Sequence, residues 1–199
     1  MSQIITNFKD LDLNGSYTYA DYLLWQFSER LELIKGKIFQ MSPSPSRNHQ
    51  QVLLKLIRRL DFFFIDKKCE LNIAPFDVRL INFKKSTENN QIFTVVQPDI
   101  CVVCDPDKLD NGGCLGAPNI IIEILSKGNS KKDLTIKFDL YEENGVQEYW
   151  IVNPSEKDVH IYTLQNGTYV GSRPYIIETE LQSPTFPELK FAVDKIFEV

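Results

Sequence analysis

Two acidic residues stand where chemistry could be built. Asp99 follows Pro98 in VQPDICVV, and Glu123 sits inside the apolar run NIIIEILS. A bare carboxylate among isoleucines costs several kcal/mol, so Glu123 requires a cationic partner or a metal ion. It lies 24 positions after Asp99 (123 minus 99), and a hairpin or a pair of neighbouring strands can bring the two side by side. Converging carboxylates repel and hold protons unless a cation lies between them. Hard divalent ions suit such oxygen ligands, and magnesium in particular takes one or two carboxylates with waters and a substrate phosphate.

A third residue joins them by spacing. Asp133, Lys137 and Tyr141 recur every four positions in SKKDLTIKFDLYEENG, so a helix puts them on one face. The connection SKGNS is short, so this helix packs back over the strand carrying Glu123 and Lys137 can reach the carboxylates. An ammonium there can orient a metal-bound water and offset charge growing on a phosphate. The competing reading is a solvated Lys137 paired with Asp133 or Tyr141.

The elements that must position these residues are marked by local signals. Thr18 to Glu29 reads as a helix with a Thr18/Asp21 capping box. LELIKGKIFQM reads as two strands turning at Lys35-Gly36. After the loop SPSPS, Ser46 caps a helix in RNHQQVLLKLIRRLDFFFIDKK, where Val52, Leu53, Leu56, Ile57, Leu60 and Phe64 repeat at helical spacing. ELNIAPFDVRLINF and IFTVVQPDICVVCD are strand-like, the second interrupted by Pro98, and Asn89-Asn90 mark a turn between them. The near-continuous apolar run of PNIIIEILS predicts a strand covered on both faces. Ser130 and Asp133 form a second capping box, and Gly145 ends that helix in a left-handed cap. VQEYWIVNP is a strand, and Asn166-Gly167 turn a hairpin. SPTFPELKFAVDKIFEV has few periodic cues. The order predicts an α/β or α+β fold, a mixed sheet flanked by helices, in one domain over 1–199.

Composition bounds the class. The chain is 43% hydrophobic and 25% charged, which suits a globular protein. A net charge of -5 argues against coating nucleic acid through bulk charge but leaves room for a local basic patch, with Lys131-Lys132, Arg58-Arg59 and Lys67-Lys68 as candidates. No apolar run approaches the roughly 20 residues of a membrane span, and MSQIITNFKDLDLNG lacks a signal-peptide pattern, so a cytoplasmic location without membrane contact is expected. Cys69, Cys101, Cys104 and Cys114 are then expected as reduced thiols. Cys101 and Cys104 form CVVC, but residues three apart on a strand point to opposite faces, which argues against zinc. GGCLG lacks the lysine and the spacing of a phosphate-binding P-loop.

PDI, IIEILS, the D-x-x-x-K-x-x-x-Y helix and GVQEYWIVNP together resemble the PD-(D/E)XK nuclease superfamily, and most closely its Uma-two branch of bacterial restriction endonuclease-like proteins. The likeness extends back through LELIKGKIFQMSPSPSRNHQ and APFDVRL, and so covers roughly Tyr17 to Pro154. It implies a restriction-endonuclease-like fold with a central mixed sheet and helices on both sides. Asp99 would match the aspartate of PD and Glu123 the acid of (D/E)XK, both as ligands of Mg²⁺ or Mn²⁺, with the carbonyl of residue 124 beside them. Leu125 stands where the plain motif has lysine, and the resemblance moves that role to Lys137. Glu32 would match an acidic residue near the site, and His49 and Asp77 match recurrent positions. Gln97 and Tyr141 would line the pocket. The implied activity is metal-dependent endonucleolytic cleavage of DNA, with a homodimer expected for cutting two strands. The alternative is a non-catalytic scaffold that binds DNA or protein.

Overall fold

The computed structural model describes residues 4–41, 45–81, 87–126 and 133–198. Among the described residues short runs broken by proline and glycine become fifteen short strands, and the breaks decide which sheet each strand joins. β1 (Leu31–Ile34) and β2 (Lys37–Gln40) form the expected hairpin, with Lys35 (φ 52°) and Gly36 (φ 80°) both left-handed in the turn. β3 (Glu70–Ile73) and β4 (Val78–Arg79) come from one strand-like segment, as do β5 (Val95–Val96) and β6 (Ile100–Val103). Each segment is cut at a proline, and its two halves enter different sheets.

β7 (Leu109–Asp110) and β8 (Gly113–Leu115) lie in the Gly- and Asp-rich segment that follows, and β9 (Ile120–Ile124) is the apolar strand carrying Glu123. β10 (Glu148–Asn153), β11 (Asp158–Gln165) and β12 (Thr168–Gly171) run on from it, the last two joined by the Asn166-Gly167 turn. β13 (Tyr175–Ile176), β14 (Glu180–Gln182) and β15 (Lys190–Ala192) complete the set.

Among the described residues one sheet has the order β2-β1-β5-β4-β8-β7, a second has the order β12-β11-β10-β9-β6-β3 with β13 on β11, and β14 pairs with β15 in a third of two strands. The first two are mixed. In the larger, β9 and β10 are parallel while β6 and β9 are antiparallel. This is an α+β architecture, as the sequence predicts, but in place of the one expected sheet stand two large sheets and a two-stranded one.

Among the described residues four α-helices serve these sheets. α1 (Tyr19–Tyr22) carries the Thr18/Asp21 capping box but stops far short of Glu29. Its continuation is captured by the N-terminal segment: Ile5 bridges Trp25, and Gln26 donates its N–H to the Ile5 carbonyl at 2.8 Å. Backbone pairing there takes the groups a longer helix would use. α2 (Arg47–Phe64) starts at the Ser46 cap and buries Val52, Leu56, Leu60 and Phe64 on one stripe. α3 (Phe138–Asn144) follows a π-helical turn at Asp133–Lys137 and ends at Gly145 in the left-handed conformation. α4 (Asp194–Phe197) forms in the tail.

The core explains the apolar β9. Ile120, Ile122 and Ile124 pack with the α2 stripe and with Ile196 and Phe197 of α4. Ile121 packs on the other face with Leu140 and Tyr141 of α3, and with Val78 and Val96 of the smaller sheet. All five β9 residues are buried, as a strand covered on both faces requires. Among the described residues no helix is long and apolar enough to cross a membrane.

The expectation of four reduced thiols is overturned. Cys69 and Cys104 form a disulfide. β3 and β6 pair antiparallel with Glu70 opposite Val103, so the next step of the register sets Cys69 against Cys104. Only strand pairing brings them together. Cys101 and Cys114 stay free and buried, and Cys101 lies across the sheet from Cys104 as the strand alternation predicts. The Ser130 cap and the basic pair Lys131-Lys132 lie outside the described residues, as do Ser42, Pro43 and Ser44 of the SPSPS loop and the side chain of Asp133.

The disulfide closes a 35-residue separation. Its reduction should lower the unfolding free energy by about 2–4 kcal/mol. Urea midpoints with and without reductant measure this, and a Cys104→Ser variant should show no dependence on reductant.

Candidate functional site

Glu123 points from β9 toward α3, into the layer between the sheet and that helix. The Lys137 ammonium meets its Oε1 at 2.6 Å, and the Tyr141 hydroxyl donates to the same oxygen at 2.7 Å. Glu123 and Lys137 are 4% and 3% exposed, so this pair is a buried one, not the solvated lysine of the competing reading. The π-helical turn ends at Lys137, and it delivers the ammonium one helical turn before Tyr141. Lys137 also bonds Glu32 Oε1 at 3.0 Å. Glu32 is on β1 of the other sheet, fully buried, and accepts the Gln97 main-chain N–H at 2.9 Å. One ammonium therefore joins carboxylates of both sheets.

Asp99 enters from the β5–β6 break. β6 pairs β9 with Ile100 opposite Ile122, and one further step places Asp99 opposite Glu123. Asp99 Oδ2 accepts the Ile124 N–H at 2.8 Å and meets His49 Nε2 at 3.1 Å. An ionised carboxylate only accepts, so His49 donates from Nε2. His49 is brought to this point by the first turn of α2, where its own N–H is capped by Ser46. Among the described residues nothing donates to Asp99 Oδ1, and the side chain is 21% exposed.

Gln97 links a third group. Its Nε2 donates to Asp77 Oδ1 at 2.8 Å and to the Tyr22 hydroxyl at 3.2 Å, while its Oε1 accepts from Arg30 Nη2 at 2.8 Å. Asp77 is thus joined to the site through Gln97 and not to Glu123 directly. Its carbonyl accepts from Cys114 and packs so close to Gly113 (φ 108°) that a Cβ there would run into it. Glycine at 113 is therefore required to hold Asp77.

Electrostatics sort the donors from the acceptors. Burial first, then the neighbouring Glu123 and Glu32 charges, pushes the Tyr141 phenol well above its ordinary range. Tyr141 thus remains a proton donor to Glu123 at any working pH. Burial also raises the Asp77 carboxyl, against the lowering effect of the Gln97 and Tyr22 hydrogen bonds.

All eight residues singled out in the sequence fall into one connected region: Glu32, Glu123, Lys137 and Tyr141 in direct contact, Asp99 with His49, and Asp77 with Gln97. Tyr22 and Arg30 were missed. Arg30 precedes Glu32 by two positions on extended chain, and that same-side spacing was the signal available. Among the described residues no three His, Cys, Asp or Glu side chains gather as a ready-made metal cage.

Tyr141→Phe removes a hydrogen bond to a buried carboxylate and should cost roughly 1–3 kcal/mol in urea unfolding. For Asp77 the raised folded value means that the protonated form favours folding. Its contribution is fully present below the ordinary carboxylate value of 3.8 and is lost as pH rises through the raised one. Wild-type stability relative to Asp77→Asn should therefore fall from acid toward neutral pH, as paired unfolding curves would show.

A 25% identical relative over 145 residues, 71% of each chain, is an uncharacterized protein, slr1290, of Synechocystis sp. (strain ATCC 27184 / PCC 6803 / Kazusa). A crystal structure from Anabaena variabilis ATCC 29413, described as "a putative nuclease belonging to DUF820", superposes with a TM-score of 0.64 at 22% identity. That match covers 91% of this chain and 97% of the other, and it shows a shared fold. A family model, Uma2, described as "Putative restriction endonuclease", matches residues 19–194. The chain belongs to the Uma2 family, the Uma-two branch that its sequence motifs resemble.

Proposed function

We propose that this protein is a metal-dependent endonuclease that hydrolyses phosphodiester bonds in DNA. The observation that carries the reading is the strand register that sets Asp99 opposite Glu123, with the Lys137 ammonium on Glu123. The description of its family and that of the Anabaena structure support it.

The donor set fits a hard divalent cation, Mg²⁺ or Mn²⁺. Asp99 offers Oδ1, which takes no donor among the described residues, on a partly exposed carboxylate. Glu123, opposite in the strand register, would add a second carboxylate, and a hard ion needs no larger protein cage because waters fill its remaining positions. Bound there, the ion would acidify a water and neutralise charge on the scissile phosphate.

The chain's own residues do the rest. His49 and the Ile124 N–H hold Asp99 in place, and Tyr141 orients Glu123. Lys137, fixed between Glu123 and Glu32, positions the attacking water and offsets charge on the phosphate oxygens. Exposed Arg58-Arg59 on α2 and Lys67-Lys68 just beyond it are the basic residues available to grip the strand. A twofold homodimer would supply two sites for two strands.

One observation favours a non-catalytic scaffold that binds DNA or protein. Lys137 already answers the charge of Glu123 and Glu32 from within the chain. A metal titration separates the two readings, since a scaffold takes up no Mn²⁺ at Asp99 and Glu123.

Incubation with plasmid DNA and with RNA, plus Mg²⁺ or Mn²⁺, should show cleavage of DNA that chelation abolishes. Asp99→Ala and the isosteric Glu123→Gln should each lower the rate by about a hundredfold or more, with circular dichroism checking that each variant is folded. Full activity in both variants would rule the assignment out.

A further inference from the structure

We propose that the cleft bounded by Tyr22, Trp25, Phe27, Arg30, Pro75 and Gln97 is a nucleobase subsite, which takes one unstacked base of the strand being cut. This rests on the nuclease reading above. The cleft encloses about 280 Å³, near the lower end of the range for small-ligand sites.

Its walls supply the faces, edges and charge that a nucleotide presents. Trp25 lies 5.5 Å from Tyr22 and 5.9 Å from Phe27 between ring centroids, and all three rings are partly exposed. Every base has a π-face, so exposed aromatic rings bind single strands with little regard to sequence. The polar wall is the Gln97 amide, whose oxygen is held by Arg30 and whose nitrogen is held by Asp77 and the Tyr22 hydroxyl. Those bonds use every donor and acceptor of the amide, so it serves to fix Arg30, whose remaining guanidinium N–H groups are the ones a base edge can meet. The exposed Arg30 guanidinium supplies the positive charge for the attached phosphate.

Position ties the cleft to the cutting site. Gln97 donates its main-chain N–H to Glu32 and stands two residues before Asp99, a reach of at most about 7 Å along the chain. That span is comparable with the step between successive phosphates of an extended strand. Arg30 and Glu32 lie two apart on extended chain and so share a side. A base in the cleft therefore sets its neighbouring phosphate toward the carboxylates. An apolar small molecule would leave the remaining Arg30 N–H groups unanswered.

Fluorescence tests this independently of turnover. The chain has two tryptophans, and Trp150 is fully buried, so Trp25 is the one that a ligand can touch. Three probes are titrated in EDTA at equal phosphate: a short oligothymidylate, an abasic deoxyribose-phosphate chain of the same length, and thymidine monophosphate. The oligothymidylate should quench the emission, with the abasic chain and the mononucleotide much weaker. Trp25→Phe should remove the response, and Phe27→Ala should weaken binding roughly ten- to a hundredfold. Equal quenching by the abasic chain, or none by any probe, overturns the base subsite. Equal quenching by the mononucleotide makes it a free-nucleotide site and overturns it as well. Metal-dependent cleavage without base-dependent quenching removes the subsite and leaves the nuclease reading standing. Quenching without cleavage removes the nuclease reading and, with it, the subsite's place on a strand being cut.

Discussion

The buried ion pair of Glu123 and Lys137 is the interaction on which the rest of this structure depends. A carboxylate in the middle of a strand covered on both faces is tolerable only if its charge is answered within hydrogen-bond reach. Lys137 and Tyr141 answer it, and both come from the segment that immediately follows β9. That requirement docks α3 against the sheet in one register, since a shift of one residue would withdraw the ammonium and leave the acid bare. Breaking such a pair from one side is far more costly than never having built it, so Glu123 and Lys137 stand or fall together.

The same ammonium ties the two sheets. Glu32 belongs to the smaller sheet and Glu123 to the larger, and Lys137 bonds both. The Gln97 N–H adds a second tie, because it follows β5 of the smaller sheet and precedes β6 of the larger. The strand break at Pro98 is thus more than an interruption. It lets the chain leave one sheet and enter the other within a few residues, and Asp99 and Gln97 lie on that crossing. A proline cannot donate to a strand ladder, so the crossing falls where the ladder would fail in any case.

Two parts of the molecule are held by means unrelated to this pair. On the far face of β10, fully buried Glu148 accepts the Trp150 indole N–H, the Ser183 hydroxyl and the Thr185 N–H. It thereby ties the segment after β14 to the sheet. At the edge, the Cys69–Cys104 disulfide pins β3 to β6 just beyond their last paired residues. A buried carboxylate and a covalent bond thus do for the periphery what the Lys137 bridge does for the centre.

Local signals in the sequence determined much of this. The caps at Thr18 and Ser46, the turns at Lys35-Gly36 and Asn166-Gly167, the left-handed stop at Gly145 and the doubly covered β9 all depend on residues close in the chain, and all are present. The short α1 was misread because pairing with Ile5, some twenty residues away, overrode a local helical tendency. The motif residues were recognisable by type and order, but their contacts were not. Only the tertiary structure decided that the strand-like segments divide between two sheets, that Cys69 faces Cys104, that Lys137 is buried and bridges two acids, and that Tyr22 and Arg30 gather around Gln97. Each of those depends on which strands pair and in what register. That choice is made by burial over the whole chain, and no window of sequence contains it.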